Sequence, residues 1–282
     1  MKRIGNLYEK VCSIENLQLA DEKARKGKLR TYGVIEHDKN REANLLKLRE
    51  ILLNGTFHTS KYDVFTIYEP KEREIYRLPY FPDRILHHAI MNVLEPIWVS
   101  TFTADTYSCI KNRGIHAAAK KVKQALREDP EGTTFCLKLD IRKFYPSINH
   151  DVLKSILRRK LKDKRLLRLL DEIIDSADGV PIGNYLSQYF ANLYLTYFDH
   201  WIKEQKRVKH YFRYADDIVI LAPDKAYLHS LMGEIREYLG DLKLEVKGNW
   251  QVFPVAARGI DFVGYVFFHT HTRMRNGIKK TF

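Results

Sequence analysis

The stretch that decides the fold is His210-Tyr211-Phe212-Arg213-Tyr214-Ala215-Asp216-Asp217-Ile218-Val219-Ile220-Leu221-Ala222. Aromatic and β-branched residues flank the two acids, a pattern that predicts two strands joined by a very short connection. Tight turns between strands usually contain Asn-Gly or Asp-Gly, which reach positive φ at little cost, and this stretch has no glycine. Two carboxylates at the tip of a rigid hairpin are what a pair of hard divalent cations requires. A solvated, acidic hairpin corner is the alternative, and this stretch alone does not decide between the two.

The composition indicates a folded protein that prefers polyanions. The chain has 282 residues, of which 45% are hydrophobic and 12% aromatic, and a formal net charge of +13. This length suits one large domain or two closely associated ones. Basic proteins rich in Tyr and Phe suit contact with nucleic acid, with a generic basic surface and an anionic membrane as the alternatives.

Three isolated cysteines, Cys12, Cys109 and Cys136, predict neither a disulfide framework nor a zinc site. No signal-like or membrane-length apolar run is present in the sequence. A cytoplasmic protein is therefore expected.

Hydrophobic periodicity predicts an α+β arrangement in which strands do not alternate strictly with helices. A turn is expected at 71–74, a helix capped by Asp83 and ended at Pro96, and a strand at 134–140. The other predicted elements are helices near 45–52, 115–126, 150–162, 164–176, 186–197 and 228–239, and strands within 56–68, 75–78, 242–248 and 260–268. Asn54-Gly55 is expected to stop the first of these helices.

Another acid, Asp140, ends the apolar strand Phe135-Cys136-Leu137-Lys138-Leu139-Asp140. Strand alternation places Lys138 and Asp140 on the face opposite Phe135, Leu137 and Leu139. If this strand lies beside the 210–221 hairpin in one sheet, Asp140 and Asp216 converge, and close carboxylates need cations to neutralise them. A pair of Mg²⁺ ions about 3.5–4 Å apart would do so while activating a hydroxyl and stabilising a leaving pyrophosphate. The alternative is a strand-end Asp that caps the next segment.

Several ordered blocks make the chain resemble the reverse transcriptases over residues of about 65–270. They are 75–79 with 82–86 and 107–114 in the fingers, the Asp140 strand as motif A, 179–195 as motif B, the Asp216-Asp217 hairpin as motif C, 242–247 as motif D and 259–265 as motif E. The resemblance implies an α+β right-hand polymerase with fingers and palm, an antiparallel palm sheet backed by helices, and a thumb that is largely absent. The implied division is 1–64 for an N-terminal helical extension or fingers, 65–133 for fingers, 134–268 for the palm with the catalytic site, and 269–282 for a truncated start of the thumb.

The resemblance also implies roles for individual residues. Asp140 and Asp216, with Ile141, would hold two Mg²⁺ ions, with Mn²⁺ as an alternative metal, and Asp217 would support them. Lys247 would protonate pyrophosphate. The dNTP would be bound by Arg77, Arg84, Arg142, Lys143, Phe144, Tyr145, Ile182 and Gly183, with the amides of 141–144 facing the triphosphate and Tyr145 excluding a 2′-hydroxyl. For Arg84 and Lys247 an ordinary surface charge is the alternative.

Motif B departs from the common Gln-Gly form and reads Ile182-Gly183-Asn184-Tyr185-Leu186-Ser187-Gln188. Ile182 and Gln188 make it resemble the reverse transcriptases of diversity-generating retroelements, which copy a template RNA with frequent errors at adenine. This resemblance implies a bacterial or phage-encoded enzyme whose partners are template RNA, RNA/DNA duplex, dNTPs and a small basic accessory protein, with no membrane partner. The alternatives are a group II intron-type or other bacterial retroelement reverse transcriptase, and a truncated, non-catalytic RNA-binding relative.

Overall fold

The computed structural model describes residues 3–68 and 72–279. The turn predicted at 71–74 and the segment 269–282 lie partly outside these residues. The helices are α1 Tyr8–Cys12, α2 Ile14–Ala24, α3 Tyr32–Asp38, α4 Arg41–Asn54, α5 Ile85–Val99, α6 Ile115–Glu128, α7 Phe144–Ser147, α8 His150–Lys160, α9 Lys164–Ile174, α10 Tyr185–Tyr194, α11 Thr196–His200, α12 Lys225–Asp241, α13 Val255–Arg258 and α14 Asn276–Lys279. The strands are β1 Asp63–Ile67, β2 Arg73–Arg77, β3 Phe135–Asp140, β4 His210–Tyr214, β5 Asp217–Ala222, β6 Gln251–Pro254, β7 Ile260–Phe262, β8 Tyr265–Phe267 and β9 Thr272–Met274.

The first of two compact units, Met1–Thr101 with Ile148–Tyr194, is mainly helical. Its central helix α5 packs against α1, α2 and α10, because apolar side chains on several of its sides, among them Leu86, Ile90 and Leu94, are fully buried. Helix α4 ends where the sequence predicts, at Gly55, whose φ of 67° suits a helix C-terminus. Strands β1 and β2 form an exposed antiparallel hairpin in the same unit.

The second unit, Phe102–Ser147 with Leu195–Phe282, contains a four-stranded antiparallel sheet in the order β4-β5-β3-β6. Helix α12 packs on β3, β5 and β6. Cys136, Val219 and Leu221 share one buried cluster with α6 and with the small β7-β8-β9 sheet. The sheet is therefore buried on both faces, and the predicted α+β fold with a helix-backed antiparallel sheet is confirmed.

Two predicted helix boundaries around α5 are wrong. Asp83 is fully buried inside a π-helical turn at Tyr80–Arg84, so its carboxylate accepts a 3.0 Å hydrogen bond from the Ser60 amide and does not cap α5. Helix α5 also continues past Pro96 to Val99, since a proline this close to the helix end removes one backbone hydrogen bond without ending the last turn.

The strand predicted at 242–248 is also wrong. Lys243 adopts a φ of 59°, which breaks an extended run, and only an isolated bridge between Ile141 and Val246 forms there. The edge of the sheet is occupied by β6, at residues 251–254. Every helix in residues 3–68 and 72–279 falls short of the length and apolarity needed to cross a membrane.

Candidate active site

The turn between β4 and β5 consists of Ala215 and Asp216 alone. Ala215 supplies the positive φ that glycine usually provides, at 54°, which costs a residue with a Cβ on the order of 1 kcal/mol. The Arg213 guanidinium donates a 3.0 Å hydrogen bond to the Ala215 carbonyl. This bond holds the strained turn from inside the protein, and with it the backbone that carries Asp216.

A buried ion pair fixes Arg213 in turn. Its Nε and Nη2 donate to the two carboxylate oxygens of Asp199 at 2.7 and 2.6 Å, and both side chains are fully buried. Tyr211 and Thr106 donate hydroxyl hydrogen bonds to the same carboxylate at 2.5 and 3.0 Å. Burial lowers the pKa of Arg213, but the charge and hydrogen bonds of Asp199 together with Tyr211 outweigh it and leave the pKa raised, so the guanidinium stays charged. Sequence reasoning missed this pair, although an arginine within an apolar strand was a visible signal.

Three carboxylates meet at one end of the sheet. Asp140, the last residue of β3, lies directly opposite Asp217, the first residue of β5, and Asp216 precedes it in the turn. Burial and then the negative charge of Asp140 raise the pKa of Asp216 to about 6. Burial is also the main cause that raises the pKa of Asp217. The structure thus brings together the acids that the sequence singled out.

Two lysine ammonium groups form ion pairs with two of the three carboxylates, those of Asp140 and Asp217. The Lys247 ammonium donates a 2.5 Å hydrogen bond to Asp140 Oδ1, and its backbone N–H donates to the Asp140 carbonyl at 2.8 Å. The Lys138 ammonium donates to Asp217 Oδ1 at 2.8 Å and to the Asp261 carbonyl. The sequence singled out Lys247, but it placed Lys138 only on the same strand face as Asp140.

The carboxylates suit a hard divalent cation that keeps part of its water shell. Among the described residues no group of three or more His, Cys, Asp or Glu side chains forms a ready-made metal centre. Asp140 and Asp216 nevertheless lie close enough for one charge to raise the pKa of the other. Mg²⁺ is commonly held by one or two carboxylates together with water and substrate phosphates, which fits this donor set. Ile141, the third predicted ligand, follows Asp140 and bridges to Val246.

The segment after β3 offers fewer amides than the sequence predicted. The Arg142 N–H already donates to the Glu245 carbonyl at 2.7 Å, and its guanidinium pairs with the Glu245 carboxylate at 3.0 Å. Among the described residues the N–H groups of Ile141, Lys143 and Phe144 have no backbone acceptor, so three of the four predicted amides are left for a ligand. Lys143 has a φ of 43°. The Tyr145 ring is half-buried, 5.6 Å from the Phe144 ring, and burial raises the pKa of its hydroxyl.

The remaining predicted residues belong to the first unit. Arg77, Arg84 and Gly183 line one cavity of about 240 Å³. Arg77 is exposed and pairs with Asp63, whereas Arg84 is half-buried, without an acidic partner in residues 3–68 and 72–279, and burial lowers its pKa.

The motif B loop is held against the β1-β2 hairpin. The half-buried Ile182 accepts a 2.8 Å hydrogen bond from the Tyr76 amide through its carbonyl. Gly183 has a φ of 117°, and a Cβ there would lie 2.8 Å from the Tyr76 carbonyl oxygen, so only glycine fits. Gln188 is exposed on α10. Gly183 therefore lines the cavity that contains Arg77 and Arg84, and Ile182 precedes it in the loop.

The helix-backed antiparallel sheet with carboxylates at one end defines a polymerase of the palm-and-fingers class. Residues 69–267 match the family described as reverse transcriptase (RNA-dependent DNA polymerase), and the chain belongs to this family.

The chain is similar to several curated proteins and solved structures. It is 26% identical over 274 residues to Protein YkfC of Escherichia coli (strain K12), covering 80% of this chain and 71% of that protein. It is 23% identical over 191 residues to the group II intron-encoded protein LtrA of Lactococcus lactis subsp. cremoris, covering 62% of this chain and only 31% of LtrA. Apo telomerase from Candida tropicalis shares the fold, with a TM-score of 0.55 at 12% identity, over 77% of this chain and 49% of that chain.

Proposed function

We propose that this protein is an RNA-directed DNA polymerase that makes cDNA from a template RNA by nucleotidyl transfer. The observation that carries the proposal is the register that sets Asp140 opposite Asp217 with Asp216 beside them in the turn. Membership of the reverse transcriptase family supports the same reaction. The formal net charge of +13 favours binding of template RNA and RNA/DNA duplex.

The metal ligands in this proposal are Asp140, Asp216 and the Ile141 carbonyl, which hold two Mg²⁺ ions or alternatively Mn²⁺. When bound, these ions activate the attacking hydroxyl and stabilise the leaving pyrophosphate. Asp217 acts beside the ligands. Lys247, held at Asp140, supplies the proton for pyrophosphate, a role that suits a lysine whose ammonium already lies at the carboxylates.

Each unit, taken by itself, contains residues that we propose bind the dNTP. The amides of Lys143 and Phe144 donate to phosphate oxygens, and the Tyr145 ring leaves no room for a 2′-hydroxyl. Arg77 and Arg84 bind phosphate with their guanidinium forks.

We also propose that the chain divides into four parts, at 1–64, 65–133, 134–268 and 269–282. The proposal includes a cytoplasmic location and a bacterial or phage-encoded origin.

The finer proposal is an error-prone enzyme of a diversity-generating retroelement, acting with a small basic accessory protein. Its support is the pair Ile182 and Gln188 in motif B. A glutamine at position 182 would hydrogen-bond the incoming nucleotide or the template, and a wrong nucleotide would leave its amide unpaired at a cost in free energy. Isoleucine can only pack, so this penalty against a wrong nucleotide is lost.

Sequencing cDNA made by Ile182→Gln tests this subtype. Misincorporation opposite template adenine should fall by up to about tenfold, because one hydrogen bond contributes on the order of 1 kcal/mol. Ile35→Gln, at a half-exposed helix position of the same unit, is the matched control and should keep the wild-type errors. An error spectrum of Ile182→Gln identical to that of wild type rejects the role of Ile182 in the errors, and a wild type with few errors at adenine rejects the subtype.

A group II intron-type reverse transcriptase is the second candidate. It is favoured by relatives named as intron-encoded or as intron maturases, including LtrA and nuclear intron maturase 4 of Arabidopsis thaliana, which is 27% identical over 161 residues. Wild-type cDNA with few errors at adenine would support this candidate over the error-prone one.

Primer extension on an RNA template tests the shared core of both candidates. Wild type should incorporate dNTPs only when template, primer and divalent cation are all present. A non-catalytic RNA-binding relative would bind the template and leave the primer unextended.

A further inference from the structure

Lys138 connects two sheets at the edge of the candidate active site. It lies on β3, two residues before Asp140, and its side chain leaves the same face of the strand. Its ammonium donates to Asp217 Oδ1 at 2.8 Å and to the backbone carbonyl of Asp261 on β7, and it lies 5.6 Å from the centre of the Phe262 ring. The Lys138 ammonium thus binds Asp217, at the start of β5, and the backbone of β7 at the same time.

The small sheet is itself closed around Asp261. The Arg275 Nε donates to Asp261 Oδ1 at 2.7 Å, and the Arg275 N–H donates to the Gly264 carbonyl at 3.0 Å. Strand β9, just before Arg275, pairs with β8, and β8 pairs with β7. The β7-β8-β9 sheet and Arg275 therefore fix the position of Asp261. Because the Lys138 ammonium binds both the Asp261 carbonyl and Asp217, it fixes Asp217 relative to this sheet.

We propose that Lys138 is a positioning residue that ties Asp217 to β7, so that Asp217 aligns the hairpin with the β7-β8-β9 sheet and does not hold metal ions. Asp217 Oδ1 already accepts a hydrogen bond from the Lys138 ammonium. The same ammonium also donates to the Asp261 carbonyl and lies near the Phe262 ring, and both contacts hold it in place. An isolated exposed pair would be worth little, but Lys138 and Asp217 are only 27% and 28% exposed and belong to a larger network. For its catalytic part this inference rests on the proposed polymerase function.

A cycle of Lys138→Met, Asp217→Asn and the double variant tests the tie. Methionine keeps the stem that packs near Phe262 and removes the ammonium. Each single change should lower kcat for primer extension about tenfold and the double change hardly further, because both remove one interaction. KM for dNTP should change less than twofold. Lys209→Met, which breaks the exposed pair with Asp129 at 2.6 Å, is the matched control and should leave kcat unchanged.

Two readouts do not require activity. Mn²⁺ titration followed by electron paramagnetic resonance should show that Asp217→Asn keeps the wild-type affinity within about threefold, whereas Asp216→Asn loses about tenfold or more. In urea, the midpoint shifts of Lys138→Met and Asp217→Asn should be less than additive. Lys138→Gln serves the same cycle if the methionine variant does not fold.

The inference is overturned if the two changes are additive in urea, or if Asp217→Asn weakens Mn²⁺ binding as much as Asp216→Asn does. A wild-type protein that extends no primer would reject the proposed function instead, and the urea and Mn²⁺ results would still decide the role of Lys138.

Discussion

Asp140 and Asp217 face each other across neighbouring antiparallel strands, and Asp216 stands one residue away in the turn. Three negative charges at one end of a buried sheet would repel one another. Lys138 forms an ion pair with Asp217, and Lys247 forms one with Asp140. Burial, and then the negative charge of Asp140, raise the pKa of Asp216, which has no lysine of its own among these two. The site therefore holds a local excess of negative charge that a divalent cation would relieve.

The raised pKa of Asp216 makes the stability of the metal-free protein depend on pH. Its pKa is about 6 in the folded protein, against 3.8 as its ordinary value, so between these values the folded protein keeps a proton that the unfolded chain has released. The associated stability is present at low pH and is lost as the pH rises through 6. Between pH 4 and 7, wild type should lose on the order of 1–3 kcal/mol relative to Asp216→Asn in urea unfolding with chelator present. A constant difference across this range would contradict the shift.

Breaking the buried pair behind the turn should be costly. Arg213→Met leaves Asp199 charged and buried without its partner, and we expect a loss of about 3–5 kcal/mol in the free energy of unfolding. Arg142→Met breaks an exposed pair with Glu245 and should lose less than about 1 kcal/mol. Equal losses from the two variants, measured by urea unfolding, would show that Arg213 does not support the turn.

Gly183 should not tolerate a side chain. Gly183→Ala forces a Cβ against the Tyr76 carbonyl at a positive φ, so we expect a loss of about 1–3 kcal/mol and a raised KM for dNTP. Gly233→Ala is the matched control, because nothing lies within 4 Å of the added Cβ in helix α12, and there alanine should stabilise the helix by about 1 kcal/mol. In thermal unfolding, the melting temperature should fall for Gly183→Ala and rise for Gly233→Ala. A Gly183→Ala variant as stable as wild type would contradict the close contact.

The sequence predicted the parts of the site that depend on local pattern. Alternation along 135–140 and the short link at Ala215-Asp216 place the acids at strand ends, and the structure pairs those strands in one sheet. Gly55 as a helix stop has the same local origin.

Long-range contacts were not predictable from pattern. Asp83 looked like a helix cap but is held by Ser60, 23 residues earlier in the chain, and Asp199 on α11 meets Arg213 on β4 only through tertiary packing. Strand β6 was missed because its four residues give too few alternations, and its place beside β3 is decided by tertiary pairing.

Primer extension on an RNA template by wild type and Asp216→Asn tests the central claim most directly. We expect cation-dependent cDNA synthesis by wild type and a loss of about 10³-fold or more in Asp216→Asn, because a metal ligand is removed from the reacting centre. Asp241→Asn, an exposed acid at the end of α12, should retain full activity. Synthesis by Asp216→Asn within tenfold of wild type, or none by wild type, would contradict it.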